Sequence, residues 1–203
     1  MDRRRAAGPG RTIAEPPRIT ASLVDFRLHI DDRTVIRPLR VDDAHAVYDA
    51  VMRNSEHLRP WMTWMDAITD ASDVHSWVRL AEKEAYEHSA FKAGIWRRSA
   101  LIGFIDLHDI DWTSGHASIG YWLDRDYTGL GIMTQAVNVF SEYAFEALDM
   151  HRIEIHVATG NHRSRRIPER LGFKLEGVLR QVQRLRGAYV DHALYALIRD
   201  DRP

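Results

Sequence analysis

Ile119-Gly120-Tyr121-Trp122-Leu123-Asp124-Arg125-Asp126-Tyr127-Thr128-Gly129-Leu130-Gly131-Ile132-Met133-Thr134 reads as a strand, a turn with two glycines and the opening of a helix. The strand begins near Ala117, and Ile132, Ala136, Phe140, Tyr143 and Leu148 recur at helical spacing after the turn. The first turn of a helix carries unpaired backbone N–H groups and the positive end of the helix dipole. Glycines let a ligand approach that backbone closely, so Gly129-Leu130-Gly131 suits a pyrophosphate. No Gly-Lys-Ser/Thr follows, which excludes a Walker A loop. The third glycine of a dinucleotide fingerprint is also missing.

Toward the N-terminus, Phe26–Ile30 and Thr34–Arg37 read as short strands around an Asp31-Asp32-Arg33 turn, and Phe91–Trp96 and Leu101–His108 as two more. Asp42 suits the N-cap of a helix carrying Ala44, Val47, Tyr48 and Val51. A second helix is predicted from Asp73, with Val74, Trp77, Val78, Ala81 and Ala85 on one stripe. Between them, Leu58-Arg59-Pro60-Trp61-Met62-Thr63-Trp64-Met65 forms either a wall over a pocket or a plug under a loop. Toward the C-terminus, Ile153, Ile155 and Val157 alternate in a strand. A short helix over Ser164–Leu171 closes at Gly172, and strands over Lys174–Arg184 and Tyr189–Ile198 join through Gly187. This order predicts a mixed α/β fold, with residues 23–203 as one domain. Residues 1–22, rich in Arg, Pro and Gly, read as a flexible tail.

Among the 203 residues, 45% are apolar and 28% charged, the proportions of a globular protein able to bury its own core. The absence of cysteine excludes disulfides, cysteine nucleophiles and thiolate–zinc sites. No apolar run approaches the ~20 residues needed to cross a bilayer, and no apolar segment follows Met1 as in a secretory signal. A cytoplasmic location without membrane contact is the expectation. The net charge of -1 hides asymmetry: residues 162–186 net +6, and residues 106–126 net −4. The eleven histidines form no His-Glu-x-x-His, so no metal site is expected, and no Gly-x-Ser-x-Gly elbow is present.

Seven short motifs occur together: Ile36-Arg37-Pro38-Leu39, Leu58-Arg59-x-Trp61, Leu101-Ile102-Gly103, Ile119-Gly120-Tyr121-Trp122-Leu123, Gly129-Leu130-Gly131-Ile132-Met133-Thr134, Asn161-x-x-Ser164, and Arg170-Leu171-Gly172-Phe173-x-Leu175-Glu176-Gly177. In this order and spacing, over about residues 30–198, the chain resembles the GNAT superfamily of N-acetyltransferases, and more closely its ribosomal-protein (RimL/RimJ-like) branch. The resemblance implies a mixed, mostly antiparallel twisted sheet of about seven strands with flanking helices. It implies a V-shaped splay between strands 4 and 5, occupied by acetyl-CoA as co-substrate. Backbone groups at Trp122 and Leu123 would pair with the pantetheine arm. The amides of Thr128, Gly129, Leu130, Gly131, Ile132, Met133 and Thr134 would face the pyrophosphate, Asn161 would bind the cofactor arm, and Ser164 would sit near its sulfur. Asp126 stands where the family's phosphate motif begins with Gln or Arg, so the backbone must carry that binding.

The implied activity is acetyl transfer to a primary amine, a protein N-terminus of the ribosomal-protein type, by direct attack in a ternary complex. Such a reaction needs an oriented amine, a proton acceptor and an acid for the departing thiolate. Many relatives place a tyrosine seven residues after the asparagine, and Pro168 occupies that position here. Resemblance to the ribosomal branch implies that the serine three residues after the asparagine, Ser164, is the acid, and the same residue also suits a helix N-cap with no catalytic role. A glutamate found in some relatives is Gln183 here, and another is Ser118. His108, alternating with Asp106 onto one strand face, is the local candidate for the base. A water chain to solvent serves an N-terminal amine equally well. The acidic stretch suits a cationic acceptor. The resemblance also implies a homodimer, while direct nucleic-acid binding is not expected. The alternatives are a small-molecule amine acetyltransferase, acting on an antibiotic, polyamine or metabolite, and a non-catalytic acyl-CoA or RNA-associated module.

Overall fold

Along the strand that runs through Phe104, Ile105, Asp106, Leu107 and His108, the odd positions are buried and the even ones half-buried. That two-residue period sets the plan of the whole molecule. The computed structural model describes residues 25–202; the flexible tail expected at residues 1–22 lies outside them. The strands are β1 (Leu28–Asp31), β2 (Thr34–Pro38), β3 (Phe91–Arg97), β4 (Ala100–Asp111), β5 (His116–Leu123), β6 (Arg152–Ala158), β7 (Lys174–Leu185) and β8 (Ala188–Ile198). They form a single eight-stranded sheet in the order β1-β2-β3-β4-β5-β6-β8-β7. Neighbours run antiparallel except β5 and β6. The helices are α1 (Ala44–Arg53), α2 (Ser55–Leu58), α3 (Ala71–Tyr86), α4 (Ile132–Glu146) and α5 (His162–Arg170).

Each sheet face has its own apolar cluster. On one, Phe140, Ala144 and Phe145 of α4 pack with Ile105, Leu107, Ile153 and Ile155. On the other, Val47 and Val51 of α1 and Val74 and Val78 of α3 pack with Leu39, Trp96, Leu101 and Trp122. The sheet therefore separates two layers, as amphipathic helices and alternating strands require.

Local chemistry places the helix ends. The Asp70 carboxylate accepts from the Ser72 amide at 2.7 Å and caps α3, and Asp73 accepts back from the Asp70 amide at 3.2 Å. Asp73, the expected start, is thus the third residue of a capping box. A 3-10 turn over Val41–Asp43 precedes α1, so Asp42 lies inside that turn and is not the N-cap. The proline-broken segment starts at the last residue of α2 and runs into a second 3-10 turn over Thr63–Ala67.

Both N-terminal strand pieces pair, and this hairpin advances the numbering by one, so the splay falls between β5 and β6. Their parallel register covers His116↔Arg152, Ala117↔Ile153 and Ser118↔Glu154, then stops. Beyond it, Ile119–Leu123 stay paired to β4 and Ile155–Ala158 to β8. At the closed end the Glu154 carboxylate meets Arg152 at 2.5 Å, His156 at 2.9 Å and His116 at 3.3 Å.

Candidate active site

A cleft of about 610 Å³ opens where β5 and β6 part. Phe104, Asp106 and His108 of β4 reach it from the face that carries α1 and α3. Asp106 is opposite Gly120 in the register, and its Oδ1 accepts the Gly120 amide at 3.0 Å with His108 Nδ1 at 3.2 Å. A Cβ at residue 120 would fall 2.5 Å from Asp106 Oδ1 and 3.3 Å from the His108 ring. The missing side chain is what admits the pair. Burial pulls the His108 imidazole down, but the hydrogen bond and charge of Asp106, joined by Asp109, outweigh it and hold its pKa above 6.5.

Ser164 enters from α5 on the opposite side. Asn161, and not Ser164, caps that helix by accepting the Ser164 amide at 3.2 Å, as a side-chain oxygen does for the first unpaired amides, so the helix starts at His162 and Ser164 lies in its first turn. Ser164 Oγ then donates to the Tyr121 hydroxyl at 3.1 Å, and Tyr121 donates to the Ser164 carbonyl at 3.1 Å. Burial pushes the Tyr121 phenol above its ordinary value, so it stays protonated. Tyr121 packs with the α4 cluster, while Asp106 and His108 face the α1–α3 side. The two hydroxyls and the imidazole–carboxylate pair thus approach the splay from opposite faces.

Past the end of β5 the chain turns through Arg125–Tyr127 into α4. Buried Asp124 takes Arg53 Nε at 2.7 Å, and Asn54 accepts the Arg125 amide at 2.9 Å, so α1 and its C-terminal cap fix the turn. Gly129 and Gly131 both adopt positive φ, +81° and +77°, with open space where a Cβ would stand. Among the described residues, Gln135 is the first after Thr128 whose amide finds a backbone carbonyl in this turn, that of Gly131 at 3.1 Å. The amides of residues 129–134 therefore form a continuous run of open donors at the N-terminus of a fifteen-residue helix.

Of the residues singled out in the sequence, His108, Trp122, Asn161 and Ser164 line the cleft. Leu123, Thr128, Gly129, Leu130, Gly131, Ile132, Met133 and Thr134 lie beyond it, and the side chains of Ile132 and Met133 are buried, leaving only their backbone to offer. The proline-broken segment serves as both wall and plug: Trp61, Met62 and Trp64 line the cleft, and Met65 is buried. The acidic stretch is not one face. Asp111 holds the Thr113–Ser114 turn, Asp124 pairs with Arg53, and Asp106 faces the cleft.

Sequence reasoning missed two residues. Tyr121 belongs to a sequence motif, but only the structure shows its hydroxyl hydrogen-bonded to Ser164 inside the cleft. His192 lines the cleft with its Nε2 at 2.9 Å from Gln183 Oε1. Burial, then the charge of His156, lowers its pKa. The available signal was its alternation with Ala193 and Tyr195, which face the α4 cluster. Among the described residues, no group of three or more His, Asp or Glu side chains is arranged for a metal ion, and no helix is long and apolar enough to cross a membrane.

Comparison with known proteins agrees with this arrangement. Residues 33–174 match the family model described as the acetyltransferase (GNAT) domain. The chain is 30% identical over 175 residues to YdaF of Bacillus subtilis, whose ribosomal N-acetyltransferase name is provisional, spanning 86% of this chain and 96% of that one. It is 28% identical to the ribosomal-protein-serine acetyltransferase of Escherichia coli, spanning 87% and 94%. The microcin C7 self-immunity acetyltransferase MccE, solved with acetyl-CoA and AMP, superposes with a TM-score of 0.79 at 26% identity, covering 83% of this chain and 94% of that one. With a family model matched over well more than half its length, on a splayed sheet beside an open-amide helix start, this chain belongs to the GNAT acetyltransferase family.

Proposed function

We propose that this protein is an acetyl-CoA-dependent N-acetyltransferase whose acceptor is a protein N-terminal amine. The observation that carries the reading is the unpaired edge of β5 leading directly into the open amides of residues 129–134. These residues fit acetyl-CoA: the edge at Trp122 and Leu123 offers an extended arm a strand-like partner, and the amides of residues 129–134 offer a pyrophosphate donors and a helix dipole. The Thr128 amide, expected to join them, already donates to the Arg125 carbonyl at 3.2 Å. When bound, acetyl-CoA supplies an electrophilic thioester carbonyl within the splay.

The chain's own groups perform the rest. The Leu123 amide stabilises negative charge on the carbonyl oxygen. Asn161 holds the cofactor arm and sets the first turn of α5. Ser164 delivers a proton at the sulfur position by turning its O–H away from the Tyr121 hydroxyl, to which it otherwise donates. His108 accepts the proton of the attacking amine, and Asp106 orients its ring. Acid and base thus work on opposite faces of the sheet and do not neutralise each other. The relatives named for ribosomal proteins support a protein acceptor, and with it work in the cytoplasm. Residues 23–203 act as one domain in this reading. The exposed Leu175, Val178 and Val182 on edge strand β7 support a homodimer, which light scattering tests.

Calorimetry with acetyl-CoA and thiol release with a panel of peptide and small amines test the activity. Binding plus turnover of α-amino peptides is expected. Binding without turnover of any amine, or turnover of small amines alone, would remove the protein N-acetyltransferase reading.

A further inference from the structure

The acceptor half of the cleft is asymmetric, and the asymmetry selects a substrate. Trp61, Met62, Trp64, Trp77 and Phe104 present partly exposed apolar surface to one concave wall. With Trp122, four of the six tryptophans of the chain line this cleft. Large apolar side chains left facing water in a concavity mark a ligand surface, and polar groups at its margin fix orientation. Here those groups are Asp106 and His108 at the floor, and Gln183 and His192 across from the aromatic wall.

We propose that the acceptor is a polypeptide whose first residue is large and apolar. This rests on the N-acetyltransferase reading above. Asp106 marks the position of the amine, because its carboxylate suits an ammonium group before the proton is lost and its partner His108 takes that proton. Phe104 stands two residues along the same strand face, ~7 Å away by strand geometry. That span matches a leucine, methionine or phenylalanine side chain measured from its own α-amine. Trp77 extends the wall from there, its ring centroid 5.4 Å from that of Phe104. Lys92, a cation in the same wall, is paired with Glu84 and lies over the Trp77 ring at 5.6 Å, and the residual effect of its charge on His108 is outweighed by those of Asp106 and Asp109. A serine or alanine at the first position would reach none of this surface. Gln183 and His192 offer hydrogen-bond partners for peptide groups, which a free aralkylamine lacks.

The test is kcat/KM with acetyl-CoA for peptides identical except at the first residue, with Ser, Ala, Leu, Met or Phe, and with phenethylamine as the free-amine arm. Leu, Met and Phe peptides are expected to exceed Ser and Ala by roughly tenfold or more, the discrimination that buried methylenes provide. Trp64→Ala, at a 39% exposed position whose loss the fold tolerates, is expected to lower the Phe peptide roughly tenfold more than the Ala peptide. Active enzyme that treats all five peptides alike, or favours Ser or Ala, overturns the apolar assignment while leaving N-acetyl transfer standing. Phenethylamine outperforming the Phe peptide overturns the polypeptide assignment. Acetyl-CoA consumed with no amine in either arm brings down the underlying reading as well.

Discussion

Asp106 reaches the edge of the splay because residue 120 has no side chain, and His108 follows because Asp106 holds its Nδ1. A base must be neutral to work, so the raised pKa of His108 makes kcat/KM fall below a pH higher than the ordinary histidine value of 6.5. Asp106→Asn removes the charge that favours imidazolium and leaves burial to pull the ring down. The acidic limb should then shift to lower pH, and His108→Asn should abolish it. A limb that ignores both variants but follows the pKa of the acceptor would assign the proton to solvent. Across the sheet, Ser164→Ala should lower kcat by about 10²-fold, the scale of a lost general acid. Tyr121→Phe keeps the ring in its packing and removes only the hydroxyl that receives Ser164. It should lower kcat roughly tenfold with KM for acetyl-CoA unchanged, as expected of an interaction made in the transition state. If thermal stability falls and kcat does not, both residues are packing alone.

At the level of elements, the cleft depends on β5 and β6 staying joined at one end and apart at the other. The joint centres on the Glu154 carboxylate, 12% exposed and shared by Arg152, His156 and His116, with Arg152 also paired to Glu176 at 2.5 Å. Burial pushes that carboxyl up, but the His156 hydrogen bond and the Arg152 and His116 charges outweigh it and bring it down from 4.5 to about 2. A depressed carboxyl contributes stability that is present above 4.5 and lost as pH falls toward 2. Glu154→Gln should forfeit most of it at pH 7, and its deficit against wild type should shrink below pH 4 or so; urea titrations at both pH values measure this. A deficit independent of pH would reduce the cluster to packing. The elements around this joint were legible in the sequence where the signal is local. The alternation of β4, β5 and β6, the stripe of α4 and the glycines at 129, 131 and 172 all depend on neighbours within a turn or two. The Tyr121–Ser164 bond, the Asp106–Gly120 contact and the Gln183–His192 pair were not legible. Each joins different strands or a strand and a helix, and follows from register that no short window contains. The 3-10 turn at Thr63–Ala67 was hidden for another reason. Its residues Trp64 and Met65 face opposite environments, so no single period describes them.

Across the whole molecule, the aromatic wall and the β7–β8 hairpin are far apart in sequence and close over one cleft. Arg186, at the hairpin turn with φ +50°, ties them together. Its Nη2 and Nε donate to the Arg59 carbonyl at 2.7 and 3.2 Å, and its Nη1 meets Asp66 at 3.1 Å. The guanidinium fork fits this three-point contact in a way an ammonium does not. The side chain is 42% exposed, so the contact adds little to global stability; exposed pairs of this kind are worth at most ~1 kcal/mol. Its consequence is local. Arg59 opens the segment that carries Trp61, Met62 and Trp64, and the hairpin carries Gln183 and His192, so the clasp fixes the width of the cleft between them. Arg186→Ala should therefore raise KM for a peptide acceptor several-fold, leave the affinity for acetyl-CoA unchanged, and lower Tm by no more than about 4 °C. Arg186→Lys keeps the charge beside Asp66 but loses the paired bonds to the Arg59 carbonyl, and should behave like the alanine variant. If lysine restores wild-type KM, charge alone closes the cleft. If both variants leave acceptor KM untouched, wall and hairpin hold their positions through packing, and the acceptor site is set by each side separately.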